Sequence, residues 1–141
     1  MTHRILLDLN VVLDVLLDRQ PFAETSAALW ASIEGGEAEG FIAAHAVTTL
    51  HYLAARGCNR AHADRCVTDV LSVFEVAPVD GAVLVAATAL GWPDFEDAVV
   101  AAAAQAAGCT MIATRDPRGF KGAPCLAVAP LEALAVVRAR A

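Results

Sequence analysis

Four aspartates in this sequence are spaced so that their chemistry could add up. Asp8 ends the apolar run Ile5, Leu6 and Leu7; Asp94 and Asp97 open the segment "PDFEDAVVAAAAQAAGC"; Asp116 closes "TMIATRD". Carboxylates gathered at one point repel each other, and without a cation some hold protons at neutral pH. A divalent ion relieves the repulsion. An all-oxygen donor set suits Mg2+ or Mn2+, which keep several waters and leave room for substrate phosphates. Such an ion polarises a phosphoryl oxygen and lowers the pKa of a bound water, and a second ion can steady the leaving oxygen. The chemistry expected of the four acids is hydrolysis of a phosphodiester. Arg115, Arg118 and Lys121 flank Asp116 and are candidates for holding phosphate.

For the acids to meet, three separate segments must reach one edge of the molecule. Short apolar runs at 4–8, 40–45, 74–80, 110–116 and 123–130 read as strands. Between them lie helical patterns. One spans 10–17, with Asn10 as its expected cap, and the next follows Pro21 and stops at Gly35-Gly36. Others cover 46–57, 59–74 with Asn59 as cap, 81–92 stopped by Gly91, 93–109 with Asp94 as the capping acid, and 131–141. Strands that alternate with helices and are apolar on both faces make a parallel sheet between helix layers. The expected fold is α/β: a single three-layer α/β/α domain over residues 1–141 with a central, mainly parallel five-stranded sheet. In such sheets ligands bind beyond the carboxyl ends of the strands, where Asp8 and Asp116 fall.

Composition narrows the rest. The chain has 141 residues, enough for one sizeable core, and 57% of them are hydrophobic, which argues against disorder. With 16 acids against 10 bases and a net charge of −6, it does not grip nucleic acid mainly by charge. Metal ions or a partner must supply part of any positive field. The four cysteines, at 58, 66, 109 and 125, have no CxxC spacing and read as reduced core residues. No stretch is an uninterrupted apolar run of about 18 residues, and the first apolar run stops at Asp8. A cytoplasmic protein with no membrane segment is expected.

The segments "ILLDLNVVLDVLLDR", "AVTTLHYLAAR" and "DFEDAVVAAAAQAAGCTMIATRD", with the following "GF", resemble the PIN-domain family over residues 4 to about 121. The resemblance implies a small α/β domain with a parallel sheet. It also implies a metal-dependent ribonuclease, using Mg2+ or Mn2+, of the kind that forms the toxin of bacterial toxin–antitoxin pairs. An RNA substrate, a small antitoxin partner and a homodimer go with it. Residue by residue, Asp8, Asp97 and Asp116 match the family's metal-binding acids. Asn10 matches the polar residue after the first acid, and Thr114 and Arg115 match the "TR" that ends strand four. One position departs: the helix after strand two usually carries a Glu three residues after a Thr, and here Thr48 is followed by His51. A neutral imidazole suits Mn2+ better than Mg2+, and Asp94 can restore the missing charge from one turn away.

Each residue also has a plain structural reading. Asp8 can cap a helix, Asp94 can be an N-cap and nothing more, Asp97 can be a partner in a capping box, and Asp116 can be a turn residue ahead of Pro117. His51 can be an ordinary half-buried histidine. Two other functions compete. The missing Glu favours a catalytically weak or inactive PIN-like module that binds RNA or a partner protein. An acid closing strand one also fits a phosphatase of the haloacid-dehalogenase type, but that family wants a second Asp where this chain has Asn10, and a downstream Lys, of which Lys121 is the only one.

Overall fold

The computed structural model describes residues 2–139. Five strands, β1 (Arg4–Leu7), β2 (Glu39–Ala43), β3 (Glu75–Ala77), β4 (Met111–Ala113) and β5 (Leu126–Val128), form one sheet in the order β3-β2-β1-β4-β5. Every pairing is parallel, with Leu6 beside Phe41 on one side and Ile112 on the other. Seven helices surround it: α1 (Leu9–Leu16), α2 (Ala23–Glu34), α3 (Ala44–Gly57), α4 (Arg60–Val73), α5 (Gly81–Leu90), α6 (Phe95–Ala106) and α7 (Pro130–Ala139). The three-layer α/β/α architecture matches the expectation. Residues 140 and 141, the end of the expected last helix, lie outside the described residues.

The two cores follow from strand periodicity. Successive side chains of a strand point to opposite faces. Ile5, Leu7, Ile42, Met111 and Ala113 pack with helices α1–α4 and α7, while Leu6, Phe41, Ala43 and Ile112 pack with α5 and α6. Trp30 meets Phe74 edge to face at 4.8 Å between ring centroids. On the other face Trp92, ahead of α6, meets Phe120 at 5.9 Å. That second pair ties the entrance of α6 to the 3-10 turn Pro117–Phe120 after β4.

Several boundaries move from their expected places. The first helix starts at Leu9, so its cap is Asp8 and not Asn10: the Asp8 side chain accepts from Leu9 N–H, and Asn10 lies inside the helix. β4 ends at Ala113, which leaves Thr114, Arg115 and Asp116 in the loop beyond it. The expected caps Asn59 and Asp94 each accept a backbone N–H of the following turn, and Gly91 ends α5 in the left-handed region at φ 68°. Of the cysteines, Cys66 and Cys109 are buried as expected, but Cys58 is exposed at the end of α3 and Cys125 is half-buried.

Gly40 in β2 is where the first core is tightest. A Cβ there would come within 2.6 Å of Phe74 and 2.7 Å of Ile33. Gly40→Ala should therefore destabilise the fold by about 1–3 kcal/mol, the usual cost of overpacking, read as a lower denaturant midpoint with an unchanged slope.

Candidate metal centre

The strand order reverses direction between β1 and β4, and a crevice opens beyond the carboxyl ends of strands at such a switch. Asp8 sits at that point. Its N–H donates to Ala113 O (2.9 Å), which carries the β1–β4 ladder one residue past the strand. Its two carboxylate oxygens are divided: Oδ1 accepts from Leu9 N–H (2.9 Å) and Oδ2 from the Thr114 hydroxyl (2.9 Å). The same Thr114 hydroxyl accepts from the Asp116 N–H at 3.2 Å. Thr114 is fully buried and Asp8 is 7% exposed. Burial raises the Asp8 pKa, the Thr114 and Leu9 hydrogen bonds pull it down, and the charges of Glu96 and Asp94 push it further up.

The first turn of α6 brings the other acids. Asp94 caps the helix by accepting from Asp97 N–H at 3.1 Å. Carboxylate oxygens of Asp94, Glu96 and Asp97 lie within 4.8 Å of one another. Asp97 is pushed up to about 6, first by burial and then by the charges of Asp94, Asp8, Glu96 and Asp116. One carboxyl thus feels acids from the end of β1, the start of α6 and the loop after β4. Gly119 closes the ring: a Cβ on it would lie 3.1 Å from Asp97 Oδ2 and 3.6 Å from Asp116 Oδ2. The absent side chain leaves those two oxygens uncovered.

Glu96 escaped sequence reasoning. Residues two apart on a helix do not face each other, so the pattern highlights Asp94 and Asp97 and passes over it. Its side chain also pairs with a distant residue, His45 at the start of α3, whose Nε2 lies 3.1 Å from Glu96 Oε2. The acidity of "DFED" was the only local signal.

The remaining candidates divide. The Asn10 side-chain oxygen is buried without a hydrogen-bond partner. His51 pairs with Asp64 of α4, Nε2 to Oδ1 at 2.8 Å, and its described contact is with that helix and not with the acids. Arg115 reaches the buried Asp14 of α1, Nε to Oδ2 at 2.8 Å, and its guanidinium lies 4.2 Å over the Phe22 ring. Arg118 and Lys121 are exposed beside Gly119 and line an open groove of about 730 Å³ with Pro117 and Phe120.

The donors present fit a hard divalent cation. They are all oxygens, two of the acids are raised by burial and then by the charges of their neighbours, and the set includes a buried, unpartnered amide oxygen two residues from Asp8.

A family model for the PIN domain matches residues 4–118. The chain belongs to the PIN-domain family. Solved PIN-fold structures share its fold. VapC20 of Mycobacterium tuberculosis, described as a sarcin-ricin loop cleaving toxin, is similar at 20% identity and TM-score 0.71, covering 89% of this chain and 99% of that one. FitAcB from Neisseria gonorrhoeae is similar at 24% identity and TM-score 0.67, with 89% and 97% covered. DNA-bound VapBC from Salmonella typhimurium is similar at 18% identity and TM-score 0.70, with 92% and 99% covered. Comparison with curated proteins returned no match. The family model ends at residue 118, so it takes in all four aspartates, Glu96 and Thr114.

Two measurements test the electrostatics of this PIN centre. Thr114→Val removes a hydrogen bond from a buried carboxylate and should cost about 1–3 kcal/mol near pH 7, with a smaller loss at pH 4, where Asp8 is closer to neutral. Asp97 has a folded pKa of about 6 against 3.8 for the free group, so the folded state holds the proton more tightly. Its contribution to stability is greatest below the free value and is lost as pH rises through about 6. In chelator, Asp97→Asn should therefore raise Tm relative to wild type at pH 7.5 and not at pH 4. An equal shift at both pH values would contradict the raised pKa.

Proposed function

We propose that residues 1–141 form a single PIN-like domain that acts as a divalent-metal-dependent endoribonuclease, the toxin of a type II toxin–antitoxin pair. The observation that carries this reading is the crowding around Asp97: its carboxylate lies within 4.8 Å of those of Asp94 and Glu96, and burial, with the charges of these and of Asp8 and Asp116, raises its pKa to about 6. The structural likeness to VapC20 and to the VapBC and FitAcB proteins supports the toxin assignment. A small antitoxin partner and a homodimer belong to the same proposal, as does a place in the cytoplasm; among the described residues no helix is long and apolar enough to cross a membrane.

Asp8, Asp97 and Asp116 would hold the ion, Mg2+ or Mn2+, with Asp94, Glu96 and Asn10 beside them. Bound there, a divalent ion supplies electrophilic polarisation of the phosphodiester and a more acidic water. The protein's own residues do the positioning. Thr114 aims Asp8 Oδ2 and fixes the start of the Asp116 loop through one hydroxyl. Asp94 sets the first turn of α6 and with it Asp97, while His45 pairs with Glu96. Gly119 leaves the Asp97 and Asp116 oxygens open toward the substrate side, and Arg118 and Lys121 offer phosphate contacts along the adjoining groove.

A second reading, a catalytically weak module that binds RNA or a partner, draws on His51. That residue stands where the family usually has Glu, and here it is spent on Asp64. Calorimetry with Mn2+ near neutral pH separates the two. The nuclease reading expects binding and metal-dependent RNA cleavage. It also expects a stability gain of about 2.7 kcal/mol at an ion concentration a hundred times Kd. Asp8→Asn should abolish cleavage and weaken Mn2+ binding on the order of a hundredfold, since ligand charge sets affinity, with the circular dichroism spectrum retained. Full cleavage by that variant would remove the mechanism. Mn2+ binding without cleavage by the wild type would favour the module.

A further inference from the structure

Arg115, the residue between Thr114 and Asp116, enters a charge arrangement the proposed mechanism does not use. Asp14 is completely buried in α1 and faces two guanidinium groups, Arg19 Nε at 2.9 Å from Oδ1 and Arg115 Nε at 2.8 Å from Oδ2. Neither Asp14 oxygen accepts a well-aligned hydrogen bond, so the contacts are held by charge. One carboxylate between two arginines leaves one positive charge over, in a chain whose net charge is −6.

That surplus charge opens onto a pocket. Arg115, Phe22, Pro21, Ser26 and Leu131 line a cavity of about 210 Å³ between the start of α2 and the start of α7. It is smaller than the roughly 300–1,000 Å³ that encloses a whole ligand, so it takes one ring or side chain of a larger molecule. Its walls are mostly apolar, yet the Ser26 hydroxyl, on a residue 1% exposed, has no hydrogen-bond partner. Phe22 is 40% exposed and Leu131 65% exposed, large apolar surface left uncovered at the mouth. An apolar slot with an arginine and an exposed aromatic at its mouth suits a flat ring attached to an anion. Single-stranded RNA presents that unit, with bases stacking on aromatic and guanidinium planes.

Position decides in favour of RNA over an acidic peptide. Arg115 lies in the chain between Thr114, which holds Asp8, and Asp116. Consecutive Cα atoms are about 3.8 Å apart, so a strand engaged at the acids passes the pocket within a nucleotide or two. Resting on the ribonuclease reading above, we propose that this pocket is a nucleotide subsite. Arg115 takes a phosphate next to the one cleaved, and the attached base enters against the exposed Phe22 ring.

The test uses the full chain in an Asp8→Asn background, which prevents cleavage, with Mn2+ present and a fluorescent pool of random single-stranded RNA octamers as probe. Phe22→Ala should weaken binding on the order of tenfold, the loss of one base–aromatic stack. Leu131→Glu, at an exposed site that folding does not need, should weaken it similarly by repelling phosphate, while Leu131→Lys should not weaken it. Mn2+ affinity, measured by calorimetry on the same pocket substitutions with Asp8 retained, should be the same in all three. RNA affinity unmoved by both Phe22→Ala and Leu131→Glu, in a protein whose unsubstituted form cleaves RNA, would overturn the subsite and leave the nuclease reading standing. A wild-type protein that neither binds nor cleaves RNA overturns both. If the pocket variants weaken binding of a pool of acidic peptides and not of RNA, the pocket docks protein and the proposal is wrong.

Discussion

A single hydroxyl holds this centre in register. Thr114 donates to one oxygen of Asp8 and accepts from the backbone of Asp116, so two strand ends that are neighbours in the sheet but 106 positions apart in the chain share one atom. The bond matters because of what it opposes. Asp8 is buried, and burial works against its charge more than any neighbouring group does. A buried carboxylate without hydrogen bonds takes up a proton or finds a cation. Thr114 keeps it oriented, but the residual repulsion among Asp8, Asp94, Glu96, Asp97 and Asp116 stays in the folded protein as stored electrostatic work. This part of the fold is built at a cost to the metal-free molecule.

The Asp14 group shows the opposite solution a few residues away. There a completely buried carboxylate is matched by two arginines and needs no ion. The two acids of the same helix region thus have opposite electrostatic settings. Asp8 is surrounded by like charge and Asp14 by opposite charge. Arg115 stands at the boundary: its backbone belongs to the loop that carries Asp116, while its side chain belongs to Asp14 and Phe22. Consecutive residues of the loop after β4 thus take opposite partners, Arg115 a buried acid and Asp116 the hydroxyl that also holds Asp8.

Much of this was legible in the sequence, for identifiable reasons. Apolar runs broken by Gly, Pro and Asn placed all five strands and seven helices, because each signal acts locally. The aspartates stood out because a carboxylate at the end of a buried strand needs explaining. What escaped depends on contacts between distant segments. The choice of Asp8 over Asn10 as the cap of α1 follows from the Asp8 N–H pairing with Ala113 O across the sheet, which starts the helix at Leu9. Glu96 pairs with His45, 51 positions away. His51 turns to Asp64 because α3 packs on α4, a matter of helix pairing and not of its own neighbours in sequence.

Helix α6 is enclosed over an uninterrupted stretch: Ala98 through Ala104 are all buried, wedged between the sheet and α5. Such a helix has no free side about which to pivot, and its small side chains leave no slack with the sheet. The acids at its first turn are the exposed tip of an otherwise sealed rod. The backbone beneath them is anchored as long as the core stays shut. Amide protons of its buried stretch then exchange with solvent through the largest openings of the fold, so their protection reports on the footing of the acids and on the core together.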